Sequence, residues 1–263
     1  MFRYFGFGSN MNVVSLRAKG VEPLSWCPAV LPGWCLCFNV KHFFRHEGGV
    51  GNIEPTDVPD SQVMGVLYEC PAESLSSLDA MEALGYGYQR VTVEVQAGEE
   101  VVSAFVYVGT PDFIDNSCRP TRRYLNILVE GARQAGLDPD YIRVLSEQKI
   151  HQQEQYPLFQ PPAGNYPLFD AISLSRYPNY TALYGSVFDM TDARVQHDFL
   201  KGFFAGRDMT LFHLKRLDYS DGTESLDDIR YGRLNNTQQS YLNAYLNEYA
   251  REYRYVGCYS YNK

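Results

Sequence analysis

Apolar and polar positions sort the chain into recognisable elements. Tyr88 to Val95 sets Arg90, Thr92 and Glu94 against Val91, Val93 and Val95, which predicts a half-buried strand. After the turn residues Gly98-Glu-Glu100, Val101 to Val108 pairs back as a hairpin. Arg3 to Phe7, Trp34 to Val40, Gln62 to Cys70, Leu183 to Met190 and Tyr253 to Tyr259 also read as strands. Helical spacing marks Met11 to Lys19, Ala72 to Leu84, Thr121 to Gln134, Pro139 to Gln148 and Asn236 to Arg251. Gly20, Gly85 and Gly136 supply helix stops. Val21 to Val40 carries Pro23, Pro28 and Pro32 and reads as a loop followed by a strand, and Phe43 to Gly51 as a loop. Phe199 to Lys215 reads as a loop and then a helix, and Asp218 to Asp228 as acidic turns. Residues 149–165 are rich in Gln, Pro and Gly without periodicity, the pattern of a linker. It separates two α+β domains, residues 1–148 and 166–263.

Composition narrows the function. Hydrophobic residues make up 45% and charged residues 21%, a globular balance. The net charge of −8 argues against non-specific binding to nucleic acid or anionic membrane. No apolar run approaches the roughly 18 residues of a membrane span, and no signal-peptide pattern precedes Phe5. The expected compartment is cytoplasmic. The six cysteines include no CxxC pair and the five histidines no HExxH, so no metal site is expected.

Two stretches carry candidate chemistry. Tyr4-Phe5-Gly6-Phe7-Gly8-Ser9-Asn10 runs from a strand through a glycine-lined turn to Ser9 and Asn10, residues that favour helix N-caps. Exposed N–H groups at such a turn favour an anion. An ordinary strand-to-helix turn fits the same residues. In the helix Ala72 to Leu84, Leu75 and Leu78 face the core, and Glu82 follows on their side. A carboxylate there costs free energy unless it is paired or functional. It suits general acid–base work; it equally suits an ion pair with Arg90. Together the turn and the inward carboxylate suggest proton transfer on a small anionic substrate.

Tyr4 to Met11 resembles the YxGYGSN(L/M) signature of the γ-glutamylcyclotransferase family. Leu78-Asp79-Ala-Met-Glu82 and Tyr88-Gln-Arg90-Val-Thr-Val resemble that family's LDxxEG…YxRxxVxV stretch. Gly49 to Pro55, Val63 to Tyr68, Pro120 to Tyr124 and Gly131 to Ile142 extend the resemblance in order over residues 2–148. The resemblance implies a mixed β-barrel with flanking helices. It implies an enzyme, a carbon–nitrogen lyase that needs no cofactor and releases 5-oxoproline and a free amino acid or amine from a γ-glutamyl substrate. Glu82 becomes the general acid/base, the turn Tyr4 to Asn10 a substrate-binding element, Tyr124 a substrate contact and Tyr88 a pocket neighbour. Phe7 stands where the signature has tyrosine and Ala83 where it has glycine. The glutathione-specific branch carries YGSL instead, which argues against glutathione. The alternative is a non-catalytic scaffold that binds a small acid.

In the second domain, Val187 to Thr191, Phe204-Ala-Gly-Arg-Asp208, Asn236 to Gln239 and Tyr253 to Gly257 resemble the membrane-associated progesterone receptor family of cytochrome b5-like domains. That resemblance implies a haem pocket with an axial tyrosine. Lys201 occupies the tyrosine's position, and a protonated lysine does not ligate haem iron. His197 and Tyr253 are the substitute candidates. A haem-free structural or protein-binding module is the other expectation.

Overall fold

The computed structural model describes residues 1–261. The chain divides into two compact units. The first comprises Met1–His42 and Glu47–Gln152, and the second Phe43–His46 with the chain from Gln153 onward.

In the first unit, β1 (Phe2–Gly6) leads through a 3-10 turn at Ser9–Met11 into α1 (Val13–Ala18). Then come β2 (Ser25–Pro32), β3 (Trp34–Lys41), β4 (Gly49–Pro55) and β5 (Gln62–Cys70). After them follow α2 (Leu75–Met81), β6 (Tyr88–Ala97), β7 (Glu100–Gly109), α3 (Arg122–Gln134) and α4 (Pro139–Ser146). Five strands close a barrel in the order β1-β5-β2-β6-β7, while β3 and β4 form a separate ribbon. β1 pairs antiparallel with β5 but parallel with β7, at Tyr4 and Phe105, so the barrel is mixed.

Strand alternation gives the barrel wall two apolar faces. One cluster draws on all five strands, with Phe5, Ala29, Leu31, Val63, Leu67, Val93, Val95 and Val106, and so fills the interior. The other takes Tyr4, Val66, Tyr68 and Tyr107 from the wall together with Leu16, Leu78, Leu125 and Leu128 from the helices. The helices therefore cover one outer side of the barrel.

Three expectations change here. Ser25–Pro32 is a strand, paired with β5 from Ser25↔Glu69 to Pro32↔Gln62. Its prolines are tolerated because its other edge meets β6 at Val30↔Gln96 only. The turn before α1 is capped by Asn12, whose Oδ1 accepts from Val14 N at 2.9 Å, and not by Ser9 or Asn10. Asn10 spends its side chain elsewhere, as described below. The helix expected over 72–84 is a 3-10 turn at Ala72–Ser74 and then α2, which ends at Met81 because Ala83 turns to φ 54°.

The second unit has β8 (Leu168–Phe169), α5 (Ala171–Leu174), β9 (Tyr180–Leu183), β10 (Ser186–Asp189) and α6 (Asp198–Phe204). It continues with β11 (Arg207–Asp208), α7 (Thr210–Leu214), α8 (Leu226–Arg230), α9 (Asn236–Glu252) and β12 (Arg254–Tyr259). The sheet order is β11-β9-β10-β12-β8. Leu183 to Met190, expected as one strand, is a hairpin. Tyr184 and Gly185 take φ of 44° and 82° at its tip, a geometry that two-residue turns require. The segment expected as a linker carries no helix or strand. From Gln153 it packs along α9: Phe159 N donates to Asn243 Oδ1 at 2.8 Å, and the Tyr156 hydroxyl to the buried carboxylate of Glu248 at 2.8 Å. Phe44 is buried in this unit's core against Tyr245, Tyr249 and Phe204.

Candidate active site

Glu82 closes α2. Its amide still bonds to the Leu78 carbonyl at 2.9 Å, so it sits one turn beyond that buried leucine, on the side that the spacing predicts. There Glu82 Oε1 accepts from Asn10 Nδ2 at 2.8 Å and from Lys19 Nζ at 2.7 Å. The Lys19 and Glu82 side chains keep only 13% and 12% of their exposure. Oε2 has no protein hydrogen-bond partner among the described residues. Arg90 does not pair with Glu82. It binds both oxygens of Asp79, at 2.7 and 2.6 Å, while the Tyr107 hydroxyl donates to Asp79 Oδ1 at 2.7 Å.

The glycine turn is held from several sides. The Tyr68 hydroxyl points at the carbonyls of Asn10 and Met11, at 2.8 and 3.0 Å. Asn10 Nδ2 also donates to the Tyr4 hydroxyl at 2.6 Å. The amide orientation is fixed by Glu82, since a flip would set an oxygen against the carboxylate. It leaves Asn10 Oδ1 buried with no partner among the described residues. The Tyr124 hydroxyl accepts from Gly51 N at 2.9 Å. A Cβ on Gly8 or Gly51 would stand 3.0 Å from that hydroxyl, so a side chain at either position would crowd it. The Tyr88 hydroxyl donates to the Gly51 carbonyl at 2.9 Å.

Four tyrosines thus surround one carboxylate. Burial raises the Tyr4 and Tyr88 hydroxyls well above the usual phenol range, and the charge of Glu82 adds to the shift. Burial pushes Tyr124 up to about 12, offset in part by the amides of Gly51 and Ser9, with Glu82 again raising it. Tyr107 is raised by burial and then by Asp79. All four remain neutral hydroxyls at ordinary pH.

Of the residues singled out in the sequence, Tyr4, Asn10, Glu82, Tyr88 and Tyr124 converge around Gly6, Gly8 and Ser9. Phe5 and Phe7 place their rings in the apolar cluster inside the barrel, and an edge of the Phe7 ring also borders Gly51, 3.5 Å from where a Cβ would stand. A tyrosine hydroxyl at position 7 would have to be satisfied within or beside that cluster. Lys19, Tyr68 and Tyr107 were not singled out. Lys19 lies 63 positions from its partner, and no local pattern links them.

In the second unit the two substitute ligand candidates are engaged with each other. His197 is fully buried, with Nδ1 2.8 Å from the Tyr253 hydroxyl and Nε2 3.0 Å from the Phe43 carbonyl. The two proposed ligands therefore bind each other, and burial lowers the His197 imidazole to about 4. Lys201 Nζ donates to Asp198 at 2.8 Å. The described residues contain no group of three or more His, Cys, Asp or Glu placed to hold a metal ion, and no helix long and apolar enough to cross a membrane.

Comparison with known proteins bears on the first unit. Residues 62–145 match the AIG2-like family. The chain is 29% identical over 146 residues to a γ-glutamyl cyclotransferase, gliK, of Claviceps purpurea; the match covers 53% of this chain and 66% of that protein. It is 26% identical over 151 residues to the γ-glutamylcyclotransferase of Bos taurus, covering 55% of this chain and 77% of the relative. A solved structure described as γ-glutamyl cyclotransferase superposes with a TM-score of 0.50 at 25% identity, over 57% of this chain and 89% of the other. None of these findings supports a cytochrome b5-like character for the second unit. Residues 62–145 thus match the AIG2-like family, and the first unit has a γ-glutamylcyclotransferase-like fold, a mixed β-barrel with α+β content.

Proposed function

We propose that the first unit is a cyclotransferase that converts a γ-glutamyl amino acid or amine into 5-oxoproline and the free amine, with Glu82 as general acid and base. The observation that carries this reading is the state of Glu82: Oε1 is fixed by Asn10 and Lys19, while Oε2 has no protein partner among the described residues. The substrate's α-ammonium gives a proton to Oε2, and the freed amine attacks the γ-carbonyl carbon. The bond to the leaving nitrogen breaks as Glu82 passes it this proton, and Glu82 then carries the attacking nitrogen's second proton to it, so that a lactam N–H and an ammonium result. Atoms and charge balance without water or cofactor. The nucleophile is tethered to the carbonyl it attacks, so proximity supplies much of the rate. Asn10 Oδ1, a buried acceptor lacking a donor, suits the same ammonium. Backbone N–H groups of the turn Gly6 to Ser9 would face the substrate's oxygens. The relatives named as γ-glutamylcyclotransferases support the reading.

The test is incubation with γ-glutamyl-alanine and related γ-glutamyl amines, scored by 5-oxoproline. Glu82→Gln should lower kcat by about 10²–10⁴, the range of a general acid–base residue. Absence of turnover with every substrate, or unimpaired turnover by Glu82→Gln, would reject the mechanism.

A further inference from the structure

Lys19 ends α1 immediately before Gly20, which turns the chain at φ 78°. From there its side chain reaches Glu82 rather than solvent. An ammonium carries three N–H donors. Glu82 Oε1 takes one, and Lys19 has no other protein acceptor among the described residues. Two donors of this nearly buried cation, beside the carboxylate, are thus without a protein acceptor among the described residues. A donor so placed is costly unless a ligand or water meets it.

Several neighbouring donors are already engaged. Arg90 is held by both oxygens of Asp79. The Gly51 amide donates to the Tyr124 hydroxyl, and the Ser9 amide is directed at the same oxygen. Arg123 pairs with Glu47. Lys19, beside Glu82, keeps donors to spare among the described residues. The pair also has the charge pattern of an α-amino acid head group in reverse. A substrate whose ammonium and carboxylate share one carbon can set the ammonium on Glu82 and the carboxylate on Lys19, closing a ring of alternating charges.

We infer that Lys19 is a specificity-determining residue: its ammonium binds the free α-carboxylate of the γ-glutamyl group, so the enzyme selects substrates whose α-carboxyl is not blocked. This rests on the cyclotransferase reading above. It adds a requirement that the carboxylate be held by a side-chain charge and not by the turn amides alone.

The experiment compares γ-glutamyl-alanine with its analogue carrying a primary amide at the α-carboxyl, using wild type, Lys19→Met, Lys19→Gln and Lys19→Arg. A charge-assisted hydrogen bond contributes about 1.5–3 kcal/mol, which corresponds to roughly 10–100-fold in kcat/KM. Lys19→Met and Lys19→Gln should reduce the carboxylate-over-amide preference by that factor, mostly through KM for the carboxylate substrate, and Lys19→Arg should restore part of it. The ratio is taken within each preparation, so it does not depend on the fraction folded. An unchanged ratio in active Lys19→Met or Lys19→Gln enzyme overturns the inference and leaves the cyclotransferase reading standing. No turnover by wild type removes both.

Discussion

Tyr124→Phe tests whether one hydroxyl joins the glycine turn to the ribbon strand β4. The change removes a single oxygen from a buried ring. That oxygen accepts the Gly51 amide at 2.9 Å. Gly51 cannot swing to another acceptor easily, because its carbonyl is held by the Tyr88 hydroxyl at 2.9 Å. The buried N–H is therefore left without a partner, at a cost of about 1–3 kcal/mol. The Ser9 amide also loses an acceptor, but Ser9 is only half-buried and water can replace it. The expected loss is about 2 kcal/mol, a roughly 30-fold change in the opening equilibrium. Both tryptophans, Trp26 and Trp34, lie in the first unit, so fluorescence during urea unfolding reports that unit separately. Native-state hydrogen exchange reads the Gly51 amide directly and should show about 30-fold faster exchange. An unchanged midpoint together with unchanged Gly51 exchange would show that the amide has another acceptor, and would refute the joint.

Asn10→Ala frees Glu82 Oε1 on one side and removes the Tyr4 contact. It should lower kcat/KM for γ-glutamyl-alanine by roughly 10–100-fold, the effect of a hydrogen bond to a charged group, and wild-type kinetics would contradict this. In the second unit, burial raises the Asp208 carboxyl to about 6, and its Oδ2 has no partner among the described residues. Its folded pKa is above the unfolded one, so the native state holds the extra proton and stability falls as pH rises from about 4 to about 6, by about 3 kcal/mol. Asp208→Asn keeps the acceptor for Thr210 and abolishes that loss. The stability difference from wild type, measured by hydrogen exchange in β9 and β10, should widen across this window and stay level above it; a difference independent of pH would refute the assignment. Haemin added to the purified chain should give no band of a ligated haem, because His197 and Tyr253 are committed to each other; a Soret band lost on His197→Ala would reverse that conclusion.

Local pattern was sufficient for the elements whose cause is local. The β6–β7 hairpin follows from alternation and a glycine turn, and its register runs without a break from Tyr88↔Gly109 to Ala97↔Glu100. α9 follows from the spacing of Leu242, Tyr245, Leu246 and Tyr249, all buried. The inward direction of Glu82 follows from its place one turn after Leu78. What the sequence could not determine was set by partners far along the chain. The prolines of β2 are permitted by an edge that stays mostly unpaired, which depends on how the barrel closes. Phe7 looked like part of the turn's chemistry, yet strand alternation places it with Phe5, and only barrel closure makes that side an interior. Lys19 reads locally as a cation at a helix end, a favourable place for it anyway. Its role appears only when a residue 63 positions away is folded against it, since a Coulombic partner is chosen by distance in space and leaves no period in the sequence.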